Sequence, residues 1–146
     1  MGTARYREAE EGLAVHFERQ SGNLYPFQEK IYAGRCLAVY LALSAGFTEV
    51  FEELLSYFDE QTAYLIVERI KRGLTDTSRP GALTKEFHYF TGPNRVHSYL
   101  HNGGDLQMLM AGKIAFEHAP VVAKLVQDGF VDSSNWVFPL ELFHDK

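Results

Sequence analysis

Apolar positions along this chain recur mostly at helical spacing and rarely in the alternation of strands. Tyr6, Ala9, Leu13 and Phe17 fall on one face, and Glu8, Glu10 and Glu11 suit the first turn of a helix beginning near Arg5. Gln20-Ser21-Gly22-Asn23 is a stop signal, and Tyr25-Pro26 permits a restart with proline in the first turn. From Phe27 to Ala45 the pattern is helical but apolar nearly all round over Cys36–Leu43. It predicts a central helix, covered on most sides and ended by Gly46 at C′. Thr48 is placed to cap a long helix over residues 48–72. Its stripe is Val50, Phe51, Leu54, Leu55, Phe58, Leu65, Ile66 and Ile70, with Arg69, Lys71 and Arg72 in its last turn.

The turn cluster Asp76-Thr77-Ser78-Arg79-Pro80-Gly81 makes residues 74–82 a loop. Residues 83–90 read either as a short strand or as a helix end, and Thr91-Gly92-Pro93-Asn94 reads as a break. Asn94 could then cap a helix over Arg95–His101, stopped or kinked by Asn102-Gly103-Gly104-Asp105. Leu106–Ala111 resumes an apolar pattern. Ala119-Pro120 opens a further helix, with Gly129 at C′ and Phe130 placed for the apolar contact that follows such a cap. The greasy tail Trp136–Phe143 is suited to pack back onto the body. The expected fold is all-α: a compact bundle of four to six helices, with room for a small β-hairpin at an ambiguous place. Residues 1–146 are expected to form a single helical domain.

At 146 residues the chain can bury one sizeable core without staples. The lone cysteine, Cys36, excludes an intrachain disulfide framework and a four-thiolate zinc site. Its apolar surroundings make it inert packing rather than a nucleophile. The formal charge of −5 argues against a generic nucleic-acid coat. The sign is uneven: residues 1–68 carry a balance of −6, whereas residues 69–95 carry +4 through Arg69, Lys71, Arg72, Arg79, Lys85 and Arg95. That stretch is a candidate surface for an anionic ligand. No apolar run precedes the first charges, and Cys36–Ala45 is too short to cross a bilayer, so a cytoplasmic, membrane-free protein is expected.

Five of the six histidines follow residue 87 and suggest three kinds of chemistry. Arg95 and His101 form an Arg-x5-His arrangement. Guanidinium can hold a scissile phosphate and imidazole can shuttle protons, so the two could cleave RNA without a metal. This spacing resembles the Arg-x4–6-His motif of HEPN domains, and His97-Ser98-Tyr99-Leu100-His101-Asn102-Gly103-Gly104 looks like the short helix element of some HEPN-like bacterial proteins. The resemblance covers about ten residues. It implies a helical, metal-independent ribonuclease with Arg95 and His101 catalytic, built across a homodimer and acting on RNA.

Alternatively, His97 and His101 lie at i,i+4 and could bind zinc, with a third ligand from His88, His118 or Asp105. No cofactor is expected otherwise. The third reading, favoured here, is a non-catalytic domain that binds a protein partner. Its surface would combine the acidic helix bearing Glu52, Glu53 and Asp59 with the ring-rich segment Phe87-His88-Tyr89-Phe90.

Overall fold

Seven α-helices and two 3₁₀ turns organise the residues that the computed structural model describes, which are 2–134 and 136; no strand occurs among them. The all-α expectation is met. Helix α1 (Tyr6–Gln20) starts from Arg5 in a left-handed conformation, and α2 (Pro26–Ala42) carries its proline in the first turn. Then follow α3 (Phe47–Leu54), α4 (Glu60–Lys71), a 3₁₀ turn (Thr84–Phe87) and α5 (His88–His101). The last elements are α6 (Leu106–Leu109), a second 3₁₀ turn (Phe116–His118) and α7 (Ala119–Gln127). No helix among the described residues is long and apolar enough to cross a membrane.

The chain divides into two compact units, residues 25–90 and the residues on either side of them; the division falls within α5. In residues 25–90 the core is Ala38, Val39 and Ala42 of α2, Val50 and Leu54 of α3, and Ala63, Ile66, Val67 and Ile70 of α4. The other unit buries Ala9 and Leu13 of α1 with Val96, Leu106, Leu109, Phe116 and Ala119. Trp136 packs against that second core, while residues 137–143 of the expected apolar tail lie outside the described residues.

Several expectations are corrected. The single helix expected over 48–72 is two helices. Tyr57 N–H and Phe58 N–H both donate to the Leu54 carbonyl, closing α3, and Asp59 caps a new start. Its carboxylate accepts from the Thr62 backbone N–H at 3.0 Å and from the Thr62 hydroxyl at 2.7 Å. The apolar period runs through this junction, which hides the cap. Gly46 does not end α2. It is extended and precedes α3, where its N–H donates to Glu49 Oε2 at 2.8 Å. A Cβ there would collide with the Ser78 carbonyl, so the glycine admits the 72–83 loop. Tyr40 of α2 and Leu43 just past its end are exposed, so the helix is less covered than its composition suggests. Phe130 follows a left-handed Gly129 and donates to the Leu125 carbonyl as such a cap requires, yet its ring is 78% exposed.

The break expected at residues 91–94 is instead the interior of α5, with Gly92 and Pro93 buried. The tertiary reason is a close backbone approach to α1. A Cβ on Gly92 would lie 2.7 Å from the Glu8 carbonyl oxygen and 2.7 Å from Gly12 Cα. Pro93 removes one backbone donor from the helix, and Asn94 is consequently no cap.

Lys71 is 1% exposed, and its ammonium donates to the Ala45 and Arg79 carbonyls, each at 2.8 Å. It thereby ties the end of α4 to the α2–α3 turn and to the loop. Burial pushes its pKa below the ordinary lysine value, while Glu49 acts in the opposite direction.

Two stability predictions follow from these contacts. Gly92→Ala would gain up to about 1 kcal/mol on an exposed helix face. Here the contact with α1 reverses the sign, and a loss of about 1–3 kcal/mol is expected in thermal denaturation. Lys71→Met keeps the stem but leaves two inward carbonyls without their donor, so denaturant unfolding should show a loss of about 2–4 kcal/mol.

Candidate functional site

The most unusual electrostatic feature of residues 25–90 is a carboxylate taken wholly out of water. Glu86, on the 3₁₀ turn, is 0% exposed. Its Oε2 accepts from Arg69 Nε of α4 at 2.7 Å and faces Arg35 Nη1 of α2 at 3.6 Å. A buried carboxylate is tolerable only with such partners. One carboxylate between two guanidinium groups leaves a positive charge over. Burial, then the charge of Arg69, pushes the Arg35 pKa down, against opposing contributions from Glu86, Tyr32 and Tyr89. Arg69 is raised, chiefly by its hydrogen bond to Glu86.

Around this trio, Tyr32 and Tyr89 stack with ring centroids 5.5 Å apart, and the Arg35 guanidinium lies 5.6 Å from the Tyr32 centroid. Two buried atoms of the trio have no hydrogen-bond partner: Arg35 Nε and Glu86 Oε1. Arg35 also lines a recess of about 240 Å³ between α2 and α4. Phe27, Ile31, Leu65 and Ile66 form its apolar walls, and Gln28 and Thr62 complete the lining. Pockets that engulf a small molecule are typically ~300–1,000 Å³, so this volume suits one large side chain. A second recess, about 420 Å³, lies among Val39, Tyr40, Leu43, Thr84, Phe87 and His88. There the buried His88 Nδ1 also lacks a partner.

Elsewhere the structure distributes the sequence-predicted residues as follows. His97 and His101 are exposed on α5 with rings parallel within 5° and centroids 6.3 Å apart, as i,i+4 spacing requires. No group of three His, Cys, Asp or Glu side chains that could hold a metal occurs among the described residues. Asp105 instead caps α6 by accepting from Gln107 N–H at 2.9 Å, and His118 Nδ1 lies 3.1 Å from Thr3 Oγ1. Arg95 pairs with Glu8 at 3.4 Å and Glu117 at 3.3 Å and lies over the Phe116 ring. A phosphate there would have to displace two carboxylates.

Glu52 and Glu53 are exposed on α3, whereas the Asp59 carboxylate is engaged as a cap, and its pKa is lowered by the Thr62 bonds. Phe87 and Phe90 are exposed, but Tyr89 is turned into the stack with Tyr32.

The basic stretch is largely neutralised from within. Arg69 is tied to Glu86, Arg72 to Glu68, Arg79 to Asp76 and Arg95 to its two glutamates, and Lys71 is buried. Arg35, which lines the recess between α2 and α4, lies outside that stretch. Its one sequence signal is a lone charge in the otherwise apolar Ile31–Leu43 segment. His16 was likewise missed, because only the fold brings α1 to α5. Burial lowers its pKa first, then the charges of Arg19 and His97.

Residues 1–145 match the family model of the microtubule-associated tyrosine carboxypeptidase. Mouse microtubule-associated tyrosine carboxypeptidase 1 is 35% identical to the chain over 81 residues, covering 54% of this chain and 17% of the mouse protein. The chain therefore spans well under two thirds of that relative's length. No solved structure matches the chain. A match over essentially all residues overturns the HEPN resemblance, which rested on about ten. It also overturns the RNA-cleaving reading, the non-catalytic binder and the histidine metal-binding protein as accounts of function. Two residues at a loose spacing recur in unrelated helices, and here Arg95 is held by carboxylates.

The lowered His16 pKa has a definite consequence for stability. The unfolded chain, with a histidine near 6.5, binds more protons than the folded one just below that value. The His16 contribution is therefore full above pH 6.5 and lost as the pH falls through the lower folded value. Thermal denaturation at pH 7.5 and 5.5 should show a smaller acid loss for His16→Asn than for the wild type.

Proposed function

Since the chain belongs to the microtubule-associated tyrosine carboxypeptidase family, we propose that it acts in the hydrolytic removal of a C-terminal tyrosine from a microtubule protein. The observation that carries this reading is the family match over residues 1–145. The mouse relative, which bears the same activity in its name, supports it. The partner is accordingly a protein whose chain terminus is free, met in the cytoplasm where microtubules lie.

The reaction adds water across the last peptide bond. The water oxygen joins the carbonyl carbon of the penultimate residue, the C–N bond breaks, and the departing tyrosine amine takes up a proton. An acyl-enzyme through Cys36 is disfavoured, because burial raises the pKa of that thiol and thiolate is the attacking form.

The test is to incubate assembled microtubules with the protein and follow the tubulin chains by mass spectrometry. Loss of a single terminal tyrosine, with no trimming beyond it, is expected. Unchanged chains, or progressive removal of further residues, would rule this reading out.

A further inference from the structure

The corner where α3 gives way to α4 combines aromatic rings with charge of a single sign. Residues 47–64 carry Glu49, Glu52, Glu53, Asp59 and Glu60 and no lysine, arginine or histidine. Asp59 and Glu60 border a recess of about 470 Å³, whose other lining residues are Phe51, Gln61 and Tyr64. That volume falls within the ~300–1,000 Å³ usual for a site that encloses a small group. Phe47 packs against both rings of the recess, with its centroid 5.5 Å from that of Tyr64 and 6.5 Å from that of Phe51. The rings are thus held in place from beneath, while about half of Tyr64 stays in water.

The acidic groups keep their charge. Capping α4 occupies hydrogen-bonding sites of the Asp59 carboxylate without neutralising it, and the Thr62 bonds lower its pKa. The basic stretch finds its counter-ions within the chain; among the described residues, Glu52, Glu53, Asp59 and Glu60 form no ion pair. Charge complementarity therefore calls for a cation from outside. The rings narrow the choice, because an aromatic face attracts cations through its quadrupole. A guanidinium uses both features: its plane stacks on a ring while its N–H groups fork onto a carboxylate. An ammonium is a more strongly hydrated point charge and gives up more water to reach the rings.

We propose that this recess is the docking site for a basic segment of a partner protein, which lays an arginine side chain against the Tyr64 and Phe51 rings and pairs it with Glu60 and Asp59. Glu52 and Glu53, exposed on α3, add to the field that steers such a segment toward the corner. Docking here requires no hydrolysis, so it stands or falls apart from the carboxypeptidase reading.

Fluorescence polarisation with the full chain and labelled peptides tests this. The probe is a peptide that alternates arginine with glycine. One comparison peptide has citrulline, the uncharged isostere, at each arginine position, and another has lysine. Losing hydrogen bonds to a charged group should make the citrulline peptide about tenfold weaker or more, and the lysine peptide should also bind more weakly than the arginine one. Glu60→Gln removes one exposed charge and should weaken the arginine peptide by about two- to fivefold. Tyr64→Leu keeps apolar bulk against Phe47 but removes the ring, with a loss of similar size expected. Asp128→Asn removes one exposed carboxylate from the other unit and should leave binding unchanged.

Equal binding of the arginine and citrulline peptides would overturn the proposal, as would a lysine peptide that binds as tightly as arginine. So would an affinity that survives both Glu60→Gln and Tyr64→Leu, or one that Asp128→Asn lowers as much as Glu60→Gln, since attraction to net charge alone would then account for it. Glu60 and Tyr64 are both exposed, so either variant carries the test if the other does not fold.

Discussion

A carboxylate buried completely, with two guanidinium groups drawn in to hold it, constrains everything in residues 25–90. Glu86 cannot keep its charge away from water unless α2 delivers Arg35 and α4 delivers Arg69 to the same place. That requirement sets the 3₁₀ turn against both helices and aligns Tyr89 with Tyr32. It also leaves the Arg35 guanidinium at the wall of the α2–α4 recess. The pairing is incomplete, since Glu86 Oε1 and Arg35 Nε lack partners. Unsatisfied polar atoms inside a protein are costly, and two of them belong to this one ion cluster.

Lys71 applies the same rule to different ends. Its buried ammonium is satisfied by two carbonyls, so it holds the loop after α4 against the α2–α3 turn and has no role toward a ligand. In the other unit, shape rather than charge is the governing constraint. Gly12 and Gly92 bring the backbones of α1 and α5 together more closely than any side chain would permit. Arg95 then closes over Phe116 toward Glu8 and Glu117, and His16 comes under the influence of His97.

Functional motifs read from spacing alone fared poorly for a physical reason. The Arg95–His101 arrangement looks like available chemistry until the glutamates that hold Arg95 become visible, and those glutamates lie 87 and 22 residues away in sequence. The basic stretch over 69–95 looks like an anion surface until its charges are matched one by one with Glu86, Glu68, Asp76 and their like. Conversely, Arg35 looks like a stray charge in an apolar helix until Glu86 is found beside it.

What the amino-acid sequence determined by itself is the local part of the fold. Helical periodicity specified the all-α class. Pro26 and Pro120 marked helix starts, and Gly22, Gly103 and Gly129 marked ends that need a left-handed residue. These signals act over a few residues and survive without tertiary context. Tertiary structure decided the rest. It let Gly92 and Pro93 lie inside a helix, because packing against Gly12 outweighs their helix-breaking tendency. It also decided which charges neutralise one another, since Coulomb interactions depend on distances that chain order does not contain.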